Sequence, residues 1–129
     1  MHKKSVKRFS LNTSIKSFRY AFSGLSSLIR NEPNAIVHLA ILVIVIIAGI
    51  FFRISKSDWI AIAIVASMVF TSECFNTGIE YLSDFISPEH NDKIKNIKDI
   101  ASAGVLVSAI GSVVAGVLIF LPELIKLFN

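Results

Sequence analysis

The run AIVHLAILVIVIIAGIFF, from Ala35 to Phe52, carries no full charge across eighteen residues, and His38 is its one polar side chain. A helix needs roughly 20 mostly apolar residues to cross a hydrocarbon core. Two further runs approach that length, from about Trp59 to Leu82 and from about Ile100 to Leu121. No water reaches the bilayer core, so backbone groups there must bond within their own segment, and three such segments can do so only as helices. The expected architecture is an all-α membrane protein: a cytoplasmic N-terminal segment over residues 1–34, then a three-span domain over residues 35–129, together forming a single domain.

Composition agrees. Hydrophobic residues make up 53% of the 129 and charged residues 17%, too apolar for a soluble domain of this size, whose surface must be largely polar. The formal charge of +4 does not point to nucleic acid, because the basic residues sit between apolar blocks rather than among aromatics on a polar face. Cys74 is the only cysteine; this excludes a disulfide framework and a CxxC metal site, and its apolar surroundings lead us to expect a buried, inert thiol. No cleavable signal is expected, since the first apolar run follows a basic segment far longer than a signal peptide's charged region.

Orientation follows from lysine and arginine. Lys3, Lys4, Lys7, Arg8, Lys16, Arg19 and Arg30 precede span one, and Lys93, Lys95 and Lys98 lie between spans two and three; Arg53, Lys56 and Lys126 fall on the other side. That distribution, ten against three, places the N-terminus and the second loop in the cytoplasm by the positive-inside rule. Trp59 and Tyr81 stand at opposite ends of span two, where amphipathic rings settle at the interface. Ahead of span one, Leu11, Ile15, Phe18, Phe22, Leu25 and Ile29 recur at helical spacing, with Lys16, Arg19, Ser23 and Ser26 on other faces. Beside a membrane this stripe reads as an interfacial amphipathic helix; the alternative is a cytoplasmic helix packed on another subunit. Asn31-Glu32-Pro33-Asn34 breaks it, because proline disfavours α conformation in the residue before it. Ser87-Pro88-Glu89-His90-Asn91-Asp92 reads as a cytoplasmic loop.

Span two also holds costly groups. At about 100° per residue from Glu73, Asn76 lies near −60°, Thr77 near +40°, Glu80 near −20° and Asp84 near +20°. They form one polar stripe, opposite Phe75, Ile79, Leu82 and Ile86. A charged side chain deep in a bilayer costs at least about 2.5 kcal/mol, so such residues mark functional sites by default; the plainer reading is carboxylates neutralised by neighbouring polar groups. Glu32, Lys98 and Asp99 enter from the same side as Glu80 and Asp84, which allows Glu32, Glu73, Glu80, Asp84, Lys98 and Asp99 to share one inner-leaflet cleft. Glu89, Asp92 and Glu123 look like ordinary loop or terminal charges. His2, His38 and His90 show no zinc-ligand spacing. An oxygen-only donor set suits magnesium held by one or two carboxylates and substrate phosphates, and a further, desolvated carboxylate suits a general base. Phosphoryl transfer to a membrane alcohol fits these parts. A proton or cation pathway fits them too, and no glycine-rich phosphate loop announces ATP.

The residues themselves resemble a known family. Glu73-Cys74-Phe75-Asn76-Thr77-Gly78-Ile79-Glu80-Tyr81-Leu82-Ser83-Asp84 is similar to the E-x-x-N-[ST]-A-I-E-x-x-x-D signature of the bacterial diacylglycerol kinase and undecaprenol kinase family, with Gly78 in the alanine position. Lys98-Asp99-Ile100-Ala101-Ser102-Ala103-Gly104-Val105 resembles its K-D-x-x-[SA]-A-x-V motif, and Asn31-Glu32 matches the polar pair before span one. The likeness extends over nearly the whole chain. It implies a homotrimer in the bacterial cytoplasmic membrane, with active sites between neighbouring subunits on the cytoplasmic side. These sites transfer the ATP γ-phosphate to a lipid alcohol with Mg²⁺. Carried over by resemblance, Glu73 is the catalytic base, and Glu32 and Glu80 bind magnesium and nucleotide. Lys16, Tyr20, Glu89, Lys98 and Asp99 contact nucleotide, with Glu89 at its purine end. Asn76, Asp84 and Ser102 support the site and its lipid substrate. Thr13 departs from the pattern, standing where proteobacterial members carry an ATP-contacting arginine; Lys16 fits a nearby basic position. The acceptor is undecaprenol or diacylglycerol, and the stretches Arg30–His38 and Phe120-Leu121-Pro122 look more like the undecaprenol kinases. The rival class is a small ion-pathway or scaffold protein without kinase activity.

Overall fold

The structure, a computed structural model, describes residues 11–128; Leu11 is described in its backbone alone. His2, Lys3, Lys4, Lys7 and Arg8 of the basic N-terminus, and the side chain of Leu11 in the apolar stripe, lie outside the described residues. The chain forms four helices in order: α1 (Leu11–Asn31), α2 (Pro33–Phe52), α3 (Lys56–Ile86) and α4 (Asp92–Phe128). No strand occurs among the described residues. Helices α2, α3 and α4 are each long and apolar enough to cross a membrane.

A single residue separates α1 from α2. Glu32 is extended, at φ −110° and ψ 107°, the conformation that a following proline enforces by clash with its ring. Its amide still closes α1 on the Leu28 carbonyl at 3.0 Å, while its own carbonyl accepts from Ile36 at 3.3 Å and opens α2. The Glu32 side chain makes no cap, which leaves its carboxylate available to another element. At the far end of α2, Arg53 takes left-handed geometry at φ 51°. The Arg53 amide donates to the Ile50 carbonyl and the Ile54 amide to the Gly49 carbonyl, both at 3.2 Å, the crossed pair of bonds that closes a helix sharply. Ser55 then starts α3 with a reciprocal capping box. The Asp58 amide donates to Ser55 Oγ at 3.2 Å, and the Ser55 amide donates to Asp58 Oδ2 at 3.0 Å.

Helices α3 and α4 make the most extensive packing in the chain, as an antiparallel hairpin, while α2 touches α3 far less. At 1.5 Å per residue they run for about 46 and about 55 Å, well beyond the roughly 30 Å hydrocarbon core. Each is therefore longer than that core is thick, and the loop that begins at Ser87 joins the two. Ala101, Val105, Ser108, Ser112 and Ala115 recur along α4 at spacings of three and four and are buried or half-buried. Small residues at such spacing let helix backbones approach closely in lipid, where dispersion rather than water exclusion drives association. Pro122 does not end α4, which continues to Phe128.

The distribution of polarity is inverted relative to a soluble bundle. Leu28, Ala35, Ile62 and Val69 are the buried apolar residues among those described, against buried Glu73, Asn76, Thr77, Ser83 and Ser108. Large apolar side chains instead cover the outside of α2 and α4. Such an exterior suits lipid or a neighbouring subunit and would be untenable in water. Cys74 corrects the expectation of a buried thiol: it is exposed, because it lies about 100° round α3 from the buried Glu73. On α1, Ile15, Phe18 and Phe22 remain exposed, and Leu28, outside the stripe read from the sequence, is the residue that anchors the helix.

Candidate functional site

The polar stripe of α3 faces into the hairpin. Glu73 is its deepest member, at 2% exposure, with Asn76 and Thr77 buried one turn on. A pocket of about 260 Å³ opens here, lined by Asn34 and His38 from α2, Glu73 and Asn76 from α3, and Ser102 and Val105 from α4. Glu73 Oε1, Asn76 Oδ1 and Thr77 Oγ1 are all shielded from solvent without an aligned hydrogen bond. Unbonded buried acceptors cost on the order of 1–3 kcal/mol each, and of the residues that carry these three, Glu73 and Asn76 line the pocket.

The other carboxylates are individually oriented. Asn76 Nδ2 donates to Glu80 Oε1 at 3.2 Å, which also fixes the amide so that Asn76 Oδ1 points away from the acid. The Tyr81 hydroxyl donates to Glu32 Oε1 at 3.3 Å, across the junction of α1 and α2. Glu32 and Glu80 both lie close enough to act on Glu73 electrostatically. Each thus has one oxygen tied to the protein and one left over, and three acids of like charge gather around one space. The donor set fits magnesium: two oriented carboxylates leave most of its octahedral positions to water and phosphate oxygens, as this small, strongly hydrated cation requires. No cluster of three or more histidine, cysteine or acidic side chains able to hold a metal occurs among the described residues.

Of the residues expected to meet, the structure brings Glu73, Asn76 and Ser102 into one pocket and sets Glu80 and Glu32 beside it. Asp84 lies at the exposed rim, where Lys98 Nζ donates to it at 2.9 Å. Asp99 does not join them: one residue further round α4, it pairs with Lys95 at 2.7 Å on an exposed face. Glu89 is exposed in the loop, and Lys16 and Tyr20 are exposed on α1. Five of the seven residues assigned to nucleotide by resemblance, Lys16, Tyr20, Glu89, Lys98 and Asp99, are therefore not gathered at the pocket within one chain.

His38, which has no zinc-ligand spacing in the sequence, stands at the site. Its Nε2 stands 3.1 Å from Glu73 Oε1, an ion-pair distance, although the groups are not aligned as a hydrogen bond. The signal was present: an ionisable side chain in an otherwise apolar span is functional by default. Spacing alone could not show that α2 carries it to the level of Glu73. Below the polar pocket, an apolar groove of about 170 Å³ runs between α2, α3 and α4, bordered by Leu42, Val69, Phe70, Val113 and Gly116, and His38 lines both spaces.

Comparison with known proteins bears on these residues directly. The sequence profile of the family described as prokaryotic diacylglycerol kinase matches residues 19–120, a range that contains every pocket residue. An undecaprenol kinase of Bacillus subtilis (strain 168) is 37% identical over 117 residues, covering 91% of this chain and 95% of the relative. A diacylglycerol kinase of Synechocystis sp. (strain ATCC 27184 / PCC 6803 / Kazusa) is 30% identical over 112 residues, covering 86% of this chain and 64% of the relative. A match of this extent, on a three-span helical chain with the signature acids at one pocket, leaves one assignment: the chain belongs to the prokaryotic diacylglycerol kinase family.

Proposed function

We propose that this lipid kinase transfers the γ-phosphoryl group of ATP to the hydroxyl of undecaprenol, at a site on the cytoplasmic side of a bacterial cytoplasmic membrane. The observation that carries the site is Glu73, a carboxylate buried at membrane depth that lines an open pocket. A lipid alcohol brings its hydroxyl to the headgroup boundary, whereas ATP comes from water. Glu73 lies about 10 Å along α3 from Glu80 and on the membrane side of it, so the γ-phosphate fits between the two. As the acceptor oxygen bonds to the γ-phosphorus, its O–H bond breaks and the proton passes to the Glu73 carboxylate. The electron pair of the broken phosphorus–oxygen bond leaves with ADP. Buried Asn76 and exposed Ser102 line the space in which the hydroxyl must be held. Glu32 and Glu80 would hold magnesium, which would supply positive charge to the transferring phosphate when bound. The long alcohol of undecaprenol, rather than diacylglycerol, is favoured by the nearly full-length likeness to the Bacillus relative.

Residues 1–34 form the cytoplasmic segment of this reading, with the exposed apolar stripe of α1 lying in the membrane interface, and residues 35–129 form the spanning domain. Lys16, Tyr20, Glu89, Lys98 and Asp99 act on nucleotide, three chains assemble as a trimer, and Asp84 holds Lys98 at the rim. The test is direct: purified protein in detergent, γ-labelled ATP and magnesium, with undecaprenol or diacylglycerol supplied alone. Label in undecaprenyl phosphate is the expected result. Label only in phosphatidic acid overturns the acceptor, and label in neither overturns the activity.

A further inference from the structure

The geometry points to His38 as the residue that positions the Glu73 carboxylate for proton acceptance, by donating from Nε2 to Oε1. The inference rests on the reading of Glu73 as the base and adds to it a partner on a different helix.

A carboxylate that is 2% exposed requires compensation, since burying an unpaired charge costs far more than any packing gain returns. The other acids that act on Glu73, Glu32 and Glu80, carry the same sign. Asn76 directs its amide donor to Glu80 instead. His38, at 3.1 Å, is left as the group of opposite tendency within reach. The imidazole is itself mostly buried, with its side chain 21% exposed, on a helix that touches α3 at few points. Its distance is already that of a hydrogen bond and only the alignment is lacking. Catalytic hydrogen bonds are commonly misaligned in the unliganded state and tighten when substrate fills the site. Because His38 also borders the apolar groove, a lipid chain lying there would press on the imidazole and could complete the alignment as the hydroxyl arrives. A ring that fixes one carboxylate oxygen leaves the other directed at the acceptor, the role an orienting partner plays towards a catalytic base.

The experiment uses full-length protein in lipid-containing micelles, with kcat and the KM for each substrate measured for His38→Leu, His38→Asn, His38→Gln, Glu73→Gln and the double variant His38→Leu with Glu73→Gln. His38→Leu should lower kcat roughly 10- to 100-fold, the usual effect of losing an orienting partner one shell out, and leave the KM for ATP unchanged. Glutamine places an amide donor near the position of Nε2 and should recover most of the loss. Asparagine, equally polar but one methylene shorter, should not, so the comparison of these two holds even if the leucine variant fails to assemble. In the Glu73→Gln background the loss of His38 should have no further effect, because residues acting as one unit are not additive. Equal turnover for His38→Asn and His38→Gln, or full additivity in the double variant, overturns the inference. Near-native kcat in His38→Leu alongside a crippled Glu73→Gln overturns it while sparing the base; near-native kcat in Glu73→Gln overturns the base itself.

Discussion

Glu73, Glu80 and Glu32 are chemically identical side chains given three different situations by their surroundings. Glu73 is sealed inside the hairpin and lines the pocket, whereas Glu80 and Glu32 are each held by one neutral donor at its edge. Their amide variants should separate accordingly. Glu73→Gln keeps shape and size, so Mg·ATP affinity should stay near native while kcat falls by about 10²- to 10⁴-fold, the usual contribution of a general base. Glu32→Gln and Glu80→Gln should instead raise the magnesium concentration needed for half-maximal rate. Steady-state kinetics with magnesium and ATP varied independently tests both halves, and an unchanged magnesium requirement in either variant removes that residue from the metal. Neither the burial of Glu73 nor the tie between Tyr81 and Glu32 can be read from residue types, since each depends on what another helix places alongside.

Among the elements, the turn between α2 and α3 is packed too closely for change. A Cβ added at Gly49 would stand 2.8 Å from Trp59 Cη2 and 3.0 Å from Ile54 Cδ1. Gly49→Ala must therefore push the indole outward, and overpacking of this kind typically costs about 1–3 kcal/mol. Trp59 is the chain's one tryptophan, so its emission reports the displacement directly. A shifted emission maximum with earlier unfolding in denaturing detergent is expected, and an unaltered spectrum would contradict the close contact. Helix α1 poses a different question, because Phe18 and Phe22 stand exposed with no covering element among the described residues. If they lie in the membrane interface, replacing both by aspartate removes buried apolar area and places charge there. Accessibility of α1 to a water-soluble label should rise and lipid turnover should fall. Undiminished turnover with unchanged labelling would assign the stripe to something other than lipid.

At the scale of the whole molecule, one chain leaves much of its signature unassembled. Lys98 turns to Asp84 and Asp99 to Lys95, while α2 packs sparsely and presents Ile36, Ile44 and Ile47 outward. A trimer with sites shared between neighbours would give these residues a pocket on the adjacent chain. Glu73→Gln and Lys98→Ala subunits, each inactive alone, should then regain measurable turnover when dissociated, mixed and reassembled. Failure to recover any activity, with mixed trimers demonstrated by differential tagging, would confine the site to a single chain.

Much of this protein was settled by local pattern. Apolar length dictates three spans because lipid leaves a backbone no partner but itself, proline at 33 dictates the break at Glu32, and the period of 3.6 places Glu73, Asn76, Thr77 and Glu80 on one stripe of one helix. Those are properties of neighbours in sequence, and the family signature is written in the same stretch. Other features required the helices to be laid against one another. The stripe on α3 says nothing about which helix covers it, and His38, dismissed for want of ligand spacing, meets Glu73 only because α2 runs beside α3 at that level. Asp99, adjacent to Lys98 in sequence, is separated from it by about 100° of rotation, and packing sends the one to Asp84 and leaves the other on the surface. Burial and partnership are decided between elements, at separations that no sequence period encodes.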